Sequence, residues 1–253
     1  MRAAIGMLQF APARAMVDVI RRSHSGASSL LHPACNQPTS DGLMTYLDLA
    51  ALDGARLQRD PFDFVIVENF ILPSQFPQVS ADFPKTPGAG SHPPSELDIR
   101  GHFAGLMDEL SGAGFRAAIE TKFDLDLANR PTMYTVRGHV RRKDGSIHTD
   151  TKTKIITVLL YMNEGWESDG GRLRILRAAT NLDDYVAEVP PNGGTLLAFR
   201  RSENSWHGHK PHEGPRRAVQ LNWVTSQDIV DRELGRHRFS TRMKKLSGAI
   251  FGA

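Results

Sequence analysis

Beyond Pro131 the chain is cut by turn clusters into short stretches of extended pattern, and this punctuation limits the possible folds more than any other feature. Apolar or alternating segments at 132–140, 153–163, 171–177, 185–189, 195–201 and 217–225 are separated by Lys143-Asp-Gly-Ser146, Ser168-Asp-Gly-Gly171 and Pro190-Pro-Asn-Gly-Gly194. Many short strands must bury their faces against one another, which predicts a sandwich or barrel. Ile155-Ile-Thr-Val-Leu-Leu-Tyr161 is apolar on both faces, as in a central strand covered on both sides. Helical spacing occurs mainly before the strands. Ser95 is expected to cap a helix with Ile99, Phe103, Leu106, Met107 and Leu110 on one face, and a second helix runs from Phe115 to about Phe123. A third, carrying Ile229 and Leu234, follows Ser226 and runs into basic sequence read as a solvated face. The expected architecture is mainly β, a barrel or jelly roll braced by helices on one side.

Within this frame His148-Thr-Asp150 presents an imidazole and a carboxylate to the same side of an extended segment, because residues i and i+2 of a strand share a face. Ser205-Trp-His207 supplies a second imidazole. Two histidines and one carboxylate suit Fe(II) and leave coordination positions open. His209 and His212 compete with His207 for that role, and strand parity allows His207 and His209 to face the same way. Leu173 and Ile175 are expected to face inward, and Tyr161 shares a face with Thr157, so its hydroxyl could project into the barrel or be satisfied locally. Arg217, Val219, Leu221 and Trp223 fall on one face of the last strand, and Arg216, Ala218, Gln220 and Asn222 on the other. The apolar face is expected to point inward, which would leave Arg217 buried beside no acid and ready for a ligand carboxylate in fork geometry. The alternative is an arginine at a strand end that reaches solvent.

With 253 residues, 40% of them apolar, the chain can bury one full core. It contains no apolar run long enough to span a membrane, and the lone Cys35 cannot support an intramolecular disulfide, so a reducing, cytoplasmic setting is expected. A balance of 31 basic to 28 acidic residues gives no argument for nucleic acid. In the first stretch Arg2, Arg14, Arg21 and Arg22 stand against Asp18, and Ser, Gly and Pro follow. Residues 1–43 are therefore read as a poorly ordered extension, with a transit-type leader as the other reading. Residues 44–253 form the expected catalytic domain, with its core at about 130–225. The Pro- and Gly-rich stretch 82–94 is a loop long enough to cover a site. Arg137, Arg141, Arg142 and Lys143 cluster just before His148; if Arg137 or Arg141 enters the mouth, an anionic substrate would be held there, and otherwise the cluster is a solvated hairpin.

Taken together, His148-x-Asp150, Leu159-Leu-Tyr161-Met-Asn163, Asp169-Gly-Gly-x-Leu173, Trp206-His207 and Arg217 six positions before Trp223 resemble the prolyl 4-hydroxylase-like branch of the Fe(II)/2-oxoglutarate-dependent oxygenases. The resemblance covers about residues 60–225 and is strongest from 132 onward. It implies a double-stranded β-helix of the jelly-roll or cupin-like kind, in which His148, Asp150 and His207 bind Fe(II) while Arg217 and Tyr161 hold the distal carboxylate of 2-oxoglutarate. The implied reaction consumes O2 and 2-oxoglutarate, releases succinate and CO2, and hydroxylates a C–H bond of a small metabolite or of a peptide, prolyl residues included; ascorbate is a candidate accessory reductant. Related halogenases carry a small residue where Asp150 stands, so the carboxylate favours hydroxylation. Gly208-His209 replaces the Glu-Val often found after this histidine in prolyl hydroxylases, which leaves the prolyl substrate open. The alternative from another class is a barrel that has lost turnover and serves as a ligand-binding or sensing module.

Overall fold

The strands of this chain form two sheets that face each other. The structure, a computed structural model, describes residues 44–236; the expectations for 1–43 and for the basic tail beyond 236 lie outside the described residues. The helical elements are α1 (Leu49–Gly54), α2 (Phe76–Ala81), a 3-10 turn at Pro94–Glu96, α3 (Gly101–Ser111) and α4 (Ala113–Phe123). The strands are β1 (Phe64–Val67), β2 (Thr132–Val140), β3 (Lys154–Tyr161), β4 (Leu173–Leu176), β5 (Tyr185–Val189), β6 (Leu196–Arg200), β7 (His207–Gly208) and β8 (Gly214–Val224). Residues 227–236 are again helical.

One sheet has the order β1-β6-β3-β8-β2 and the other β5-β4-β7, with antiparallel pairing throughout. The result is a double-stranded β-helix. The larger sheet is buried on both faces, which accounts for the continuous apolar runs of its central strands. Ile156, Val158 and Leu160 of β3, Leu196 and Ala198 of β6 and Val219, Leu221 and Trp223 of β8 pack under α3 and α4 with Phe103, Leu106, Phe115 and Ile119. The opposite face supplies Tyr161, Leu197, Phe199 and Ala218, which meet Leu173 and Ile175 of β4 and Val189 of β5 between the sheets. Strand β3 therefore lies in the middle of a three-layer stack of helices, large sheet and small sheet.

Two boundaries depart from the sequence reading. Ser95 sits in the 3-10 turn and α3 starts at Gly101, because its cap comes from elsewhere: Asp82 Oδ2 accepts the His102 N–H at 2.7 Å. Gly101 has φ +58°, and a Cβ there would run into that carboxylate. Strand β8 begins at Gly214, before the expected 217, since Gly214 and Pro215 pair with Val140 and His139 of β2. The 82–94 loop is irregular, as expected, and it is tied to the free edge of β2. His92 and Val136 exchange backbone hydrogen bonds of 2.9 and 2.8 Å, so the edge is covered and Ser91 reaches the barrel mouth.

Candidate active site

The turn before His148 is built to aim it. Asp144 Oδ2 accepts the Arg141 N–H at 3.1 Å, and Gly145 takes φ +93°, with the His209 imidazole packed so tightly against it that a Cβ would come within 2.3 Å of the ring. The chain then pairs with a segment 59 positions away. His148 and His207 donate their N–H groups to each other's carbonyls, both at 3.0 Å. Directly opposed residues of an antiparallel pair project to one face, so the imidazole centroids lie 4.4 Å apart. Asp150, two residues beyond His148, adds its carboxylate on the same side. Donor atoms of His148, Asp150 and His207 lie within 4.8 Å of one another.

The surroundings prepare these three groups as ligands. His148 Nδ1 donates to Ser146 O at 2.8 Å and His207 Nδ1 to Ser205 O at 2.9 Å. A carbonyl can only accept, so each Nδ1 carries a proton and each Nε2 is the ring nitrogen left to face a metal. Burial, followed by the nearby His148, lowers the His207 pKa to about 4 against the opposing pull of Asp150, so the ring is neutral at physiological pH. Burial pushes the Asp150 carboxyl upward, but the Lys154 ammonium, His207 and the Thr157 hydroxyl together hold it below the usual carboxylate range. Lys154 Nζ donates to Asp150 Oδ1 at 2.7 Å and Thr157 Oγ1 to Oδ2 at 2.5 Å. Asn222 Nδ2 donates to the Thr157 oxygen at 2.7 Å, which commits the hydroxyl proton to Asp150. Two imidazoles and one oriented carboxylate are a donor set that fits Fe(II).

These groups open onto a cavity of about 300 Å³ whose apolar wall is Leu159, Leu173, Phe199 and Ala218. Of the two neighbouring arginines of β8, the one that lines it is Arg216. Arg217, expected on the inward face, instead points to the helix side, where its guanidinium lies 5.3 Å from the Phe83 ring centre, outside this cavity. The physical reason lies in the two-sided burial of the large sheet. The apolar face of β8 is the face beneath the helices, while the barrel interior is lined by the more polar face with Arg216, Ala218 and Gln220. Arg216 is buried; its Nε donates to Gly171 O at 2.8 Å, and its Nη2 lies 3.5 Å from the Tyr161 hydroxyl. Tyr161 is fully buried and stands behind Arg216, whose guanidinium carbon is 5.2 Å from the centre of its ring.

Of the competing histidines, His209 also lines the cavity but is outside the three-donor group, and its Nδ1 donates to Lys210 O at 2.8 Å. Burial and then Arg216 lower its pKa to about 4. His212 packs on Trp166 at 4.6 Å, away from the cavity. In the basic cluster, Arg137 lines the cavity and Arg141 is exposed outside it. Arg216, Lys154 and Asn222 were missed as candidates. For Arg216 and Asn222 the signal was the polar alternation of Arg216, Gln220 and Asn222 inside an otherwise buried strand.

Residues 133–225 match the family model described as the 2OG-Fe(II) oxygenase superfamily, and this span contains the donor group, Tyr161 and Arg216. The match covers well under half of the chain, and the class of enzyme it describes is one whose iron the donor group could hold. Within that class the motif resemblance is to the prolyl 4-hydroxylase-like branch. No curated protein matches the chain. Among solved structures the chain is similar to a prolyl-4-hydroxylase from Pseudomonas putida, at 19% identity over 70% of this chain and 94% of that one, with a TM-score of 0.44. It is similar also to a prolyl 4-hydroxylase from Phytophthora capsici (15% identity, 76% of this chain and 70% of that one, TM-score 0.49). A third is HygX from Streptomyces hygroscopicus, with nickel and 2-oxoglutarate bound (11% identity, 65% and 82%, TM-score 0.42).

Proposed function

We propose that this chain is a dioxygenase that hydroxylates a C–H bond of a small metabolite or of a peptide residue, prolyl included, with succinate and CO2 as co-products. Residues 44–253 form its catalytic domain, with the core at about 130–225. His148 and His207 through Nε2, and Asp150 through its carboxylate, would hold Fe(II). When bound, the metal supplies the O2 chemistry that amino-acid side chains lack.

The remaining work falls to the chain. Lys154 and Thr157 hold Asp150 in one orientation, and the carbonyls of residues 146 and 205 fix the two imidazole tautomers. Arg216 would bind the distal carboxylate of 2-oxoglutarate, with Tyr161 bracing the guanidinium from behind. Leu159, Leu173 and Phe199 keep bulk water from that end of the cavity. The single observation that carries this reading is a buried arginine whose hydrogen-bond partners are both neutral, set in the same cavity as a two-histidine, one-carboxylate donor group. A buried cation without an acid is costly unless a ligand anion completes it.

The test is anaerobic addition of Fe(II) and 2-oxoglutarate to the purified protein, with ascorbate as accessory reductant, followed by visible absorbance. A weak charge-transfer band that disappears in His207→Ala is the expected result. No band in protein with intact secondary structure overturns the reading.

A further inference from the structure

Arg137 is a second guanidinium in the cavity, and neither the metal nor 2-oxoglutarate accounts for it. It projects from β2, opposite Ala218 of β8, and its side chain is 30% exposed. Arg216 reaches inward to Tyr161 and Gly171, whereas Arg137 reaches toward the rim. Its Nη2 donates to Ser91 Oγ in the 82–94 loop at 2.9 Å, and its Nη1 lies 3.7 Å from Asp144 Oδ2. That carboxylate is shared. Asp144 also takes Arg141 Nη2 at 3.4 Å and the Arg141 N–H, so one acid serves two guanidiniums. The cavity wall carries the cations Arg137, Lys154 and Arg216 against Asp144 and Asp150. A metal dication and the 2-oxoglutarate dianion cancel, so one positive charge is left over at the rim. Burial, and next the Arg216 guanidinium, hold Arg137 below the usual arginine range, with Asp144 pulling the other way.

We propose that Arg137, steadied by Ser91, binds a carboxylate of the molecule to be oxidised, so that the substrate is an organic acid held by its anionic end at the cavity rim. This rests on the oxygenase reading above, and the experiment separates the two.

Protein is loaded anaerobically with Mn(II) and 2-oxoglutarate, and the broadening of the acetate methyl proton signal by Mn(II) is titrated, with neutral acetamide as control. Acetate should be broadened and acetamide not. Arg137→Gln should weaken the acetate effect by about tenfold or more while 2-oxoglutarate affinity stays unchanged. Asp144→Asn, which keeps an acceptor for the Arg141 N–H but releases Arg137, should strengthen it severalfold. N-acetylaspartate N′-methylamide, a carboxylate on a peptide frame, distinguishes the two sources of the acid. Broadening of both probes means the rim admits peptides, and broadening of acetate alone means free small acids. Acetate broadening that survives Arg137→Gln reports acetate on the metal and overturns the proposal. An equal effect of acetamide, or loss of 2-oxoglutarate affinity in Arg137→Gln, overturns it as well. If Mn(II) and 2-oxoglutarate do not bind wild-type protein, the oxygenase reading fails and this proposal falls with it.

Discussion

Substituting Arg216 and Arg217 in turn separates two side chains that are neighbours in sequence and lie on opposite faces of β8. Arg216→Gln removes the buried cation proposed for the 2-oxoglutarate carboxylate and should weaken co-substrate binding by roughly 30-fold or more, the usual scale for truncating one side of a buried ion pair. Arg217→Gln removes a guanidinium resting on Phe83 and should change that affinity less than about threefold. Titration of the charge-transfer band against 2-oxoglutarate reads both. The histidines make a second prediction. His207 and His209 ordinarily titrate near 6.5 and in the fold near about 4. Between those values the unfolded chain binds more protons than the native one, so stability is complete above about 6.5 and falls as the pH drops toward 4. His209→Asn removes one of the two and should flatten that decline, as measured by urea midpoints between pH 7 and pH 4.5; an unchanged slope would count against a neutral, buried His209. At this scale the convergence of His148, Asp150 and His207 was legible in the sequence, and the arginine that lines their cavity was not. His148 and Asp150 are related by local strand geometry, whereas choosing between Arg216 and Arg217 requires knowing which side of the sheet the helices cover.

Among the elements, α3 depends on a cap that its own sequence does not contain. Its N-cap residue Arg100 makes no side-chain capping bond, and the His102 N–H is satisfied by Asp82, just past the end of α2. Asp82→Ala should therefore lower stability by about 1 kcal/mol, Asp82→Asn by less, and neither should alter 2-oxoglutarate affinity. Chemical denaturation checks the first claim and the anaerobic titration the second. Helical periodicity identified the α3 face with Phe103, Leu106, Met107 and Leu110, because that pattern is a property of neighbouring residues. It placed the start too early because Ser95 is a plausible local cap and the real one lies at a sequence distance of 20 residues. The two-residue strand β7 was invisible for a related reason. It exists through pairing with β4 and with His148, and two residues carry no period of their own.

For the molecule as a whole, one sheet buried on both faces couples the scaffold to the site. Leu160 of β3 is 1% exposed on the helix side, while Leu159 beside it lines the cavity. Leu160→Ala should cost about 2–5 kcal/mol, as is typical for truncating a buried leucine, and lower the thermal midpoint of the domain as a unit. Leu159→Ala should cost less stability and enlarge the cavity. Calorimetry of the two variants, with and without Mn(II) and 2-oxoglutarate, tests whether the layers unfold together. Among the described residues no helix is long and apolar enough to cross a membrane.

The sequence by itself determined the longer strands beyond Pro131, the helix faces and the grouping of His148, Asp150 and His207, because periods of two and 3.6 residues and turn chemistry are local. Tertiary structure decided what depends on layers: that both faces of the large sheet are buried, so Arg216 and not Arg217 enters the barrel. It also decided that Lys154 and Thr157, the latter held by Asn222, converge on Asp150, and that Asp82 caps a helix 20 residues away. A strand's alternation separates its residues into two sets, but only the neighbouring layers determine which set meets the cavity.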